Sequence, residues 1–120
     1  MSESRDCIFC KIAGGEMPVP LVYEDEWVVA FDDISPQAPV HTLVIPRRHI
    51  KDLDDEALNE EGGIELLGHL LKAAREVASI KGLCPEGYRL IENNGSNAGQ
   101  TVLHLHIHVL GGEKFNEGLV

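Results

Sequence analysis

Apolar and polar positions alternate in two rhythms along this chain of 120 residues. Across residues 64–80, Leu67, Leu70, Leu71, Ala74, Val77 and Ala78 recur at three- and four-residue spacing, with Glu65, His69, Lys72 and Glu76 on the other side. That period predicts one face of an α-helix, and Gly82 after Lys81 suits its C-terminal cap. The remaining runs are shorter. Residues 21–24 and 27–32, split by Asp25-Glu26, read as a hairpin. Residues 41–45, stopped by Pro46, and residues 88–92 and 101–110 read as further strands. Residues 7–13 suit a short helix closed by Gly14-Gly15, and the two prolines within 34–39 make that stretch a loop. Residues 47–51 form a basic connector, and residues 93–99 a turn-rich loop of Asn, Gly and Ser. The order β-β-β-α-β-β predicts an α+β layer arrangement. One long helix cannot cover a five-stranded sheet, so a partner subunit is expected.

Composition narrows the class. Apolar residues make up 43% of the chain, enough for one packed core, and the length suits a single domain over residues 1–120. The net charge of −10 repels phosphate backbones and anionic lipid, which argues against nucleic acid and membrane surfaces as partners. No apolar run approaches the ~18 residues of a membrane span. The polar start Met-Ser-Glu-Ser-Arg-Asp lacks the layout of a secretion signal. Cys7, Cys10 and Cys84 are an odd set, which points to a reducing compartment and a cytoplasmic protein.

The chemistry concentrates near the C-terminus. His104, His106 and His108 alternate with Leu105, Ile107 and Val109. In a strand this puts the imidazoles on one face, roughly 6–7 Å apart, with a central histidine flanked by two others. Such a row can be a solvated polar face, a three-histidine catalytic zinc site, or a nucleophile with proton carriers at phosphorus. The preceding loop, with Gly95, Gly99, Gln100 and Thr101, favours the third reading. Glycine lets backbone N–H groups approach and cradle a phosphate.

His104-Leu105-His106-Ile107-His108-Val109-Leu110 resembles the signature of the histidine triad (HIT) superfamily. The likeness extends through residues 31–46 and 93–101, and is strongest to the nucleotide-binding, purine nucleoside phosphoramidase branch. The resemblance implies an antiparallel five-stranded sheet with one long and one short N-terminal helix, joined into a homodimer. It implies a hydrolase that cleaves purine nucleoside 5′-phosphoramidates through a nucleotidyl-histidine. The alternatives are a dinucleoside polyphosphate hydrolase and a non-catalytic nucleotide-binding or partner-docking dimer. By the same resemblance His106 is the nucleophile, His41 supports it, and His108 and Thr101 lie at the α-phosphate. Asp33 meets the ribose hydroxyls; Ile8, Phe9, Ile12, Phe31 and Ile34 wall the base. Asn93, Gly99 and Gln100 lie on the ribose–phosphate side. His69, on the polar helix face, reads as solvated. Thr101 stands where phosphoramidases of this family often carry serine, which keeps the hydroxyl and adds a methyl.

No catalytic metal is required by this scheme. Cys7 and Cys10 have the two-residue spacing of a metal-binding pair, or of two core thiols in a short helix. Related histidine triad proteins with this pair hold structural zinc, which implies that His49 and His104 complete the set.

Overall fold

The computed structural model describes residues 6–118. Cys7 caps helix α1 (Ile8–Ala13), its Sγ accepting from the Cys10 amide at 3.3 Å, and Gly14 closes the other end. The hairpin follows as β1 (Tyr23–Glu24) and β2 (Val28–Asp32). Its turn is built by Asp25, whose Oδ1 accepts from the amides of Trp27 and Val28 at 2.7 and 2.9 Å. Strand β3 (Val40–Pro46), the long helix α2 (Gly63–Ile80), β4 (Arg89–Ile91) and β5 (Ile107–Gly111) complete the order. The sheet runs β1-β2-β3-β5-β4, and every neighbouring pair is antiparallel. The five-stranded α+β architecture is the expected one.

The period of two along the strands sorts two cores. Val28, Ala30, Val44, Ile107 and Val109 face α2 and pack with its buried residues. Val29, Phe31, Leu43 and Ile45 face the other way and pack under α1, against Phe9, Cys10 and Ile12. The imidazole side of the histidine run belongs to this second face. Among the described residues, no helix is long and apolar enough to cross a membrane.

Two expectations shift. The buried stripe of α2 is Leu66, Leu70, Ala73, Ala74, Val77 and Ala78, whereas Leu71 is 56% exposed and Leu67 half-buried. Gly63 sets this rotation: it packs so closely on the Leu58 backbone that a Cβ there would overlap the Leu58 carbonyl. The helix therefore turns its Gly63–Leu66–Leu70 edge inward.

The last strand is also shorter than residues 101–110. Val44 pairs with Ile107, so continuing the register would set Pro46 opposite Leu105. Pro46 has no N–H to give the ladder, and its carbonyl oxygen lies 2.9 Å from the ring Nε2 of His104. The Leu105 amide instead donates to Ile50 O at 2.6 Å, in the connector. His104 and His106 consequently precede the strand rather than lie within it. Alternation still holds in space, because Leu105 joins Ile107 and Val109 in the α2 core.

Candidate active site

The histidine run splits its work between two places. His106 and His108 stay together, ring centroids 5.0 Å apart. The flanking ring expected at His104 is absent from that pair, since it turns toward Cys7 and Cys10 with its Nδ1 at 3.2 and 3.5 Å from their sulfurs. His41, on β3, takes the place beside His108: its Nε2 is 2.8 Å from His108 Nδ1. The sheet register explains this neighbourhood, because β3 and β5 are adjacent and Leu43 faces His108 directly.

Hydrogen bonds assign the protons. The Gln37 amide donates to His41 Nδ1 at 3.0 Å, so neutral His41 carries its proton on Nε2. That N–H points at His108 Nδ1, with Asp33 Oδ2 at 3.5 Å. Neutral His108 is left with its proton on Nε2. His106 differs: its Nδ1 lies 2.7 Å from the His104 carbonyl oxygen, which only accepts. Nδ1 therefore carries the proton, and Nε2 of neutral His106 keeps an open lone pair.

Burial pushes the His108 pKa down from 6.5 to about 4, helped by the neighbouring His106 and His41 and opposed by Asp33. His108 should therefore be neutral at physiological pH. An NMR titration of its ring should give a midpoint near 4; a midpoint at or above 6.5 would contradict this. The sign for stability follows from linkage. Between about pH 6.5 and 4 the unfolded chain binds a proton at this position that the folded chain does not. The urea midpoint of metal-free protein should thus fall as pH drops through that window, and His108→Asn should flatten the slope.

Beside these rings lies a cleft of about 450 Å³, lined mainly by apolar side chains. All five residues expected to wall a base, Ile8, Phe9, Ile12, Phe31 and Ile34, line it, as does Asp33. Met17, Val19, Pro20, Leu43 and Val102 contribute too. Leu43 was legible as sharing a face with His41, but Met17, Val19 and Pro20 lie in a connector without periodicity. Phe9 links cleft and histidines: its ring stands edge-on to Phe31 at 5.6 Å and to His106 at 5.2 Å. Asp33 is held by the Ser35 amide on Oδ1 at 2.8 Å.

The glycine loop is tied down by Gln100. Its Oε1 accepts from the Gly95 amide at 2.8 Å, and its Nε2 donates to Lys51 O and Val102 O at 2.9 and 3.1 Å. The side chain expected on the ribose–phosphate side thus braces the loop. Gly99 sits at φ +83°, a conformation that favours glycine. Asn93 is half-buried just past β4. Thr101 lines an adjoining cleft of about 570 Å³, with His49, Lys51 and Leu103 among its walls. The two clefts share Ile8 and Val102. His69 is exposed, and stacks on Trp27 with centroids 4.5 Å apart.

The second place is the Cys7–Cys10–His49–His104 cluster, whose four donor atoms lie within 4.8 Å of one another. Cys10 Sγ is 3.2 Å from His49 Nδ1. A tetrahedral zinc with bonds of about 2.3 Å to sulfur and about 2.0 Å to nitrogen sets S···N separations near 3.5 Å. The three S···N distances of 3.2, 3.2 and 3.5 Å are close to that value. The donor set, two thiols and two imidazoles, is one that zinc favours. The expected four residues therefore come together in an arrangement compatible with structural zinc.

Comparison with known proteins places this geometry. Residues 14–115 match the HIT domain. An uncharacterised HIT-like protein of Synechococcus elongatus is 50% identical over 109 residues, covering 91% of this chain and 92% of its own. A 14 kDa zinc-binding protein of Zea mays is 50% identical over 110 residues, covering 91% of this chain and 84% of its own. A HIT family hydrolase from Clostridium thermocellum superimposes with a TM-score of 0.90 at 44% identity, covering 98% of this chain and all of the other.

Proposed function

The chain belongs to the HIT domain family, and from that premise we propose that it hydrolyses purine nucleoside 5′-phosphoramidates through a nucleotidyl-histidine on His106. The observation that carries this reading is the 2.7 Å contact of His106 Nδ1 with the His104 carbonyl, which frees Nε2 for attack.

The base occupies the apolar slot walled by Ile8, Phe9, Ile12, Phe31 and Ile34, and Asp33 accepts from the ribose hydroxyls. His106 Nε2 then attacks the α-phosphorus, forming a P–N bond to the ring as the P–N bond to the amine breaks. An amide anion is a very poor leaving group, so a proton must reach the amine nitrogen. The Thr101 hydroxyl, coupled to His108, relays that proton to the amine and recovers it in the second step. Loop amides near Gly99 stabilise the phosphoryl oxygens. Water next attacks phosphorus and gives up a proton that restores the relay, the P–Nε2 bond breaks, and a nucleoside monophosphate leaves with His106 neutral again. Dividing one displacement into two is covalent catalysis. Cys7, Cys10, His49 and His104 hold a structural zinc, whose contribution is to cross-link chain segments. No step passes through it.

A second reading has one observation in its favour. Lys51 lines the cleft that holds Thr101, and a cation there suits the extra phosphates of a dinucleoside polyphosphate. A turnover panel separates the two. Adenosine 5′-phosphoramidate should exceed diadenosine polyphosphates in kcat/KM, and Thr101→Val should slow the phosphoramidate more. The reverse ranking would install the polyphosphate reading, and binding of AMP without turnover of either would leave a nucleotide-docking module.

The working unit is a homodimer. Ile64 and Leu71, seven residues apart on one edge of α2, are exposed, and they form an apolar strip that a second copy would cover. Light scattering should give about 26 kDa, twice the chain mass of 13.2 kDa; a monomer at micromolar concentration would refute this assembly.

A further inference from the structure

We infer that metal in the Cys7–Cys10–His49–His104 cluster and nucleotide in the cleft strengthen each other's binding, because α1 and His104 serve both sites. This inference rests on the zinc and nucleotide readings above and adds a thermodynamic link between them.

Three connections carry it. Helix α1 has six residues, far below the length at which a helix persists unaided in water, so its position depends on what holds it. Its N-terminal cap Cys7 and its third residue Cys10 belong to the metal cluster. Ile8, Phe9 and Ile12, interleaved with those cysteines, line the nucleotide cleft. A ligand that fixes one side of so short a helix fixes the other.

His104 is the second connection. Its ring Nδ1 faces the two sulfurs, while its backbone carbonyl accepts the proton of His106 Nδ1. Holding the ring holds the peptide that keeps the nucleophile's lone pair aimed outward. Phe9 is the third connection, its ring edge-on to His104 at 5.9 Å and to His106 at 5.2 Å. The metal cluster thus touches the catalytic side through one helix, one carbonyl and one aromatic ring.

When only part of the population is competent to bind, apparent affinity falls by that fraction. Removing metal loosens α1 and lowers the competent fraction. By linkage, nucleotide must raise metal affinity by the same factor. A coupling of about tenfold lies within the ordinary range for linked sites.

Calorimetric titration with AMP of zinc-loaded and metal-free protein should give dissociation constants about tenfold apart, the loaded form binding more tightly. Competition with a chromogenic chelator should show AMP strengthening zinc retention by a similar factor. Phe9→Ala, assayed with AMP saturating its own cleft, keeps all four metal donors but should lose most of that gain. The variant also covers the case in which the metal-free chain unfolds, since an equal gain in Phe9→Ala would show that stabilisation of the whole fold, not this contact, links the sites. Dissociation constants within twofold of each other, in protein that binds both ligands, would overturn the coupling while leaving both parent readings intact. Failure of the purified protein to bind zinc, or of the loaded protein to bind AMP, would remove the coupling together with the corresponding reading.

Discussion

His106→Ala should turn over adenosine 5′-phosphoramidate at least about 10⁴-fold more slowly than the parent chain, the scale on which loss of a covalent nucleophile acts. AMP affinity should change by no more than about threefold, because binding is assigned to the apolar cleft, Asp33 and the loop amides rather than to this ring. The argument is one of position and tautomer. His106 is buried against Phe9, carries its proton on the side of the His104 carbonyl, and has its other nitrogen uncommitted among the described residues. His108 cannot substitute, since its Nδ1 already meets His41. Nor can His41, whose Nδ1 is taken by the Gln37 amide. Steady-state kinetics and calorimetry on the same preparation separate catalysis from binding. Turnover near the parent's would strip His106 of its role.

The prediction also explains how so acidic a chain can handle an anion. The net charge of −10 gives no long-range attraction for a nucleotide. With His108 neutral at physiological pH, a phosphate bound there would meet its N–H dipole rather than a cation. Preorganised dipoles in a part-buried site can stabilise developing charge on phosphoryl oxygens without a strong ground-state ion pair.

The parts of this molecule that local pattern controls were legible in advance. The alternation of His104, His106 and His108 with Leu105, Ile107 and Val109 does sort polar rings from the α2 core. The Cys7–Cys10 spacing does bring both sulfurs to one cluster. What escaped the sequence depends on tertiary register. Nothing local says that Pro46 falls opposite Leu105 and ends the ladder, or that its carbonyl meets the His104 ring. That encounter holds one imidazole at the two cysteines, a place that only the family resemblance implied for it, while the β3–β5 pairing sets His41 beside His108. The rotation of α2 is of the same kind. Leu66 and Leu67 are equal candidates by period, and the choice falls to a glycine pressed against a neighbouring turn.

Zinc removal should have the second large effect. Metal analysis of protein purified without chelator should find close to one zinc per chain. Stripping it with EDTA should lower the melting temperature by about 15 °C. The size follows from mass action: a ligand present at 1,000 times its dissociation constant, and bound only by the folded state, stabilises by about 4 kcal/mol. In a domain of this length each kcal/mol moves the midpoint by roughly 4 °C. The chain should not unfold outright, as small zinc modules do, because the core between α2 and the sheet contains none of the four donors and is built mainly by α2 and the strands. What loosens is the other layer. There the four donors tie α1 to the connector after β3 and to the segment before β5, joining residues 97 positions apart in the chain. Cys10→Ser should reproduce most of the loss without chelator, since it removes a thiolate whose sulfur lies beside both imidazoles. EDTA should then shift the variant little. A zinc content near zero in the parent, or an unchanged melting temperature on chelation, would reduce the pair to ordinary core thiols beneath α1.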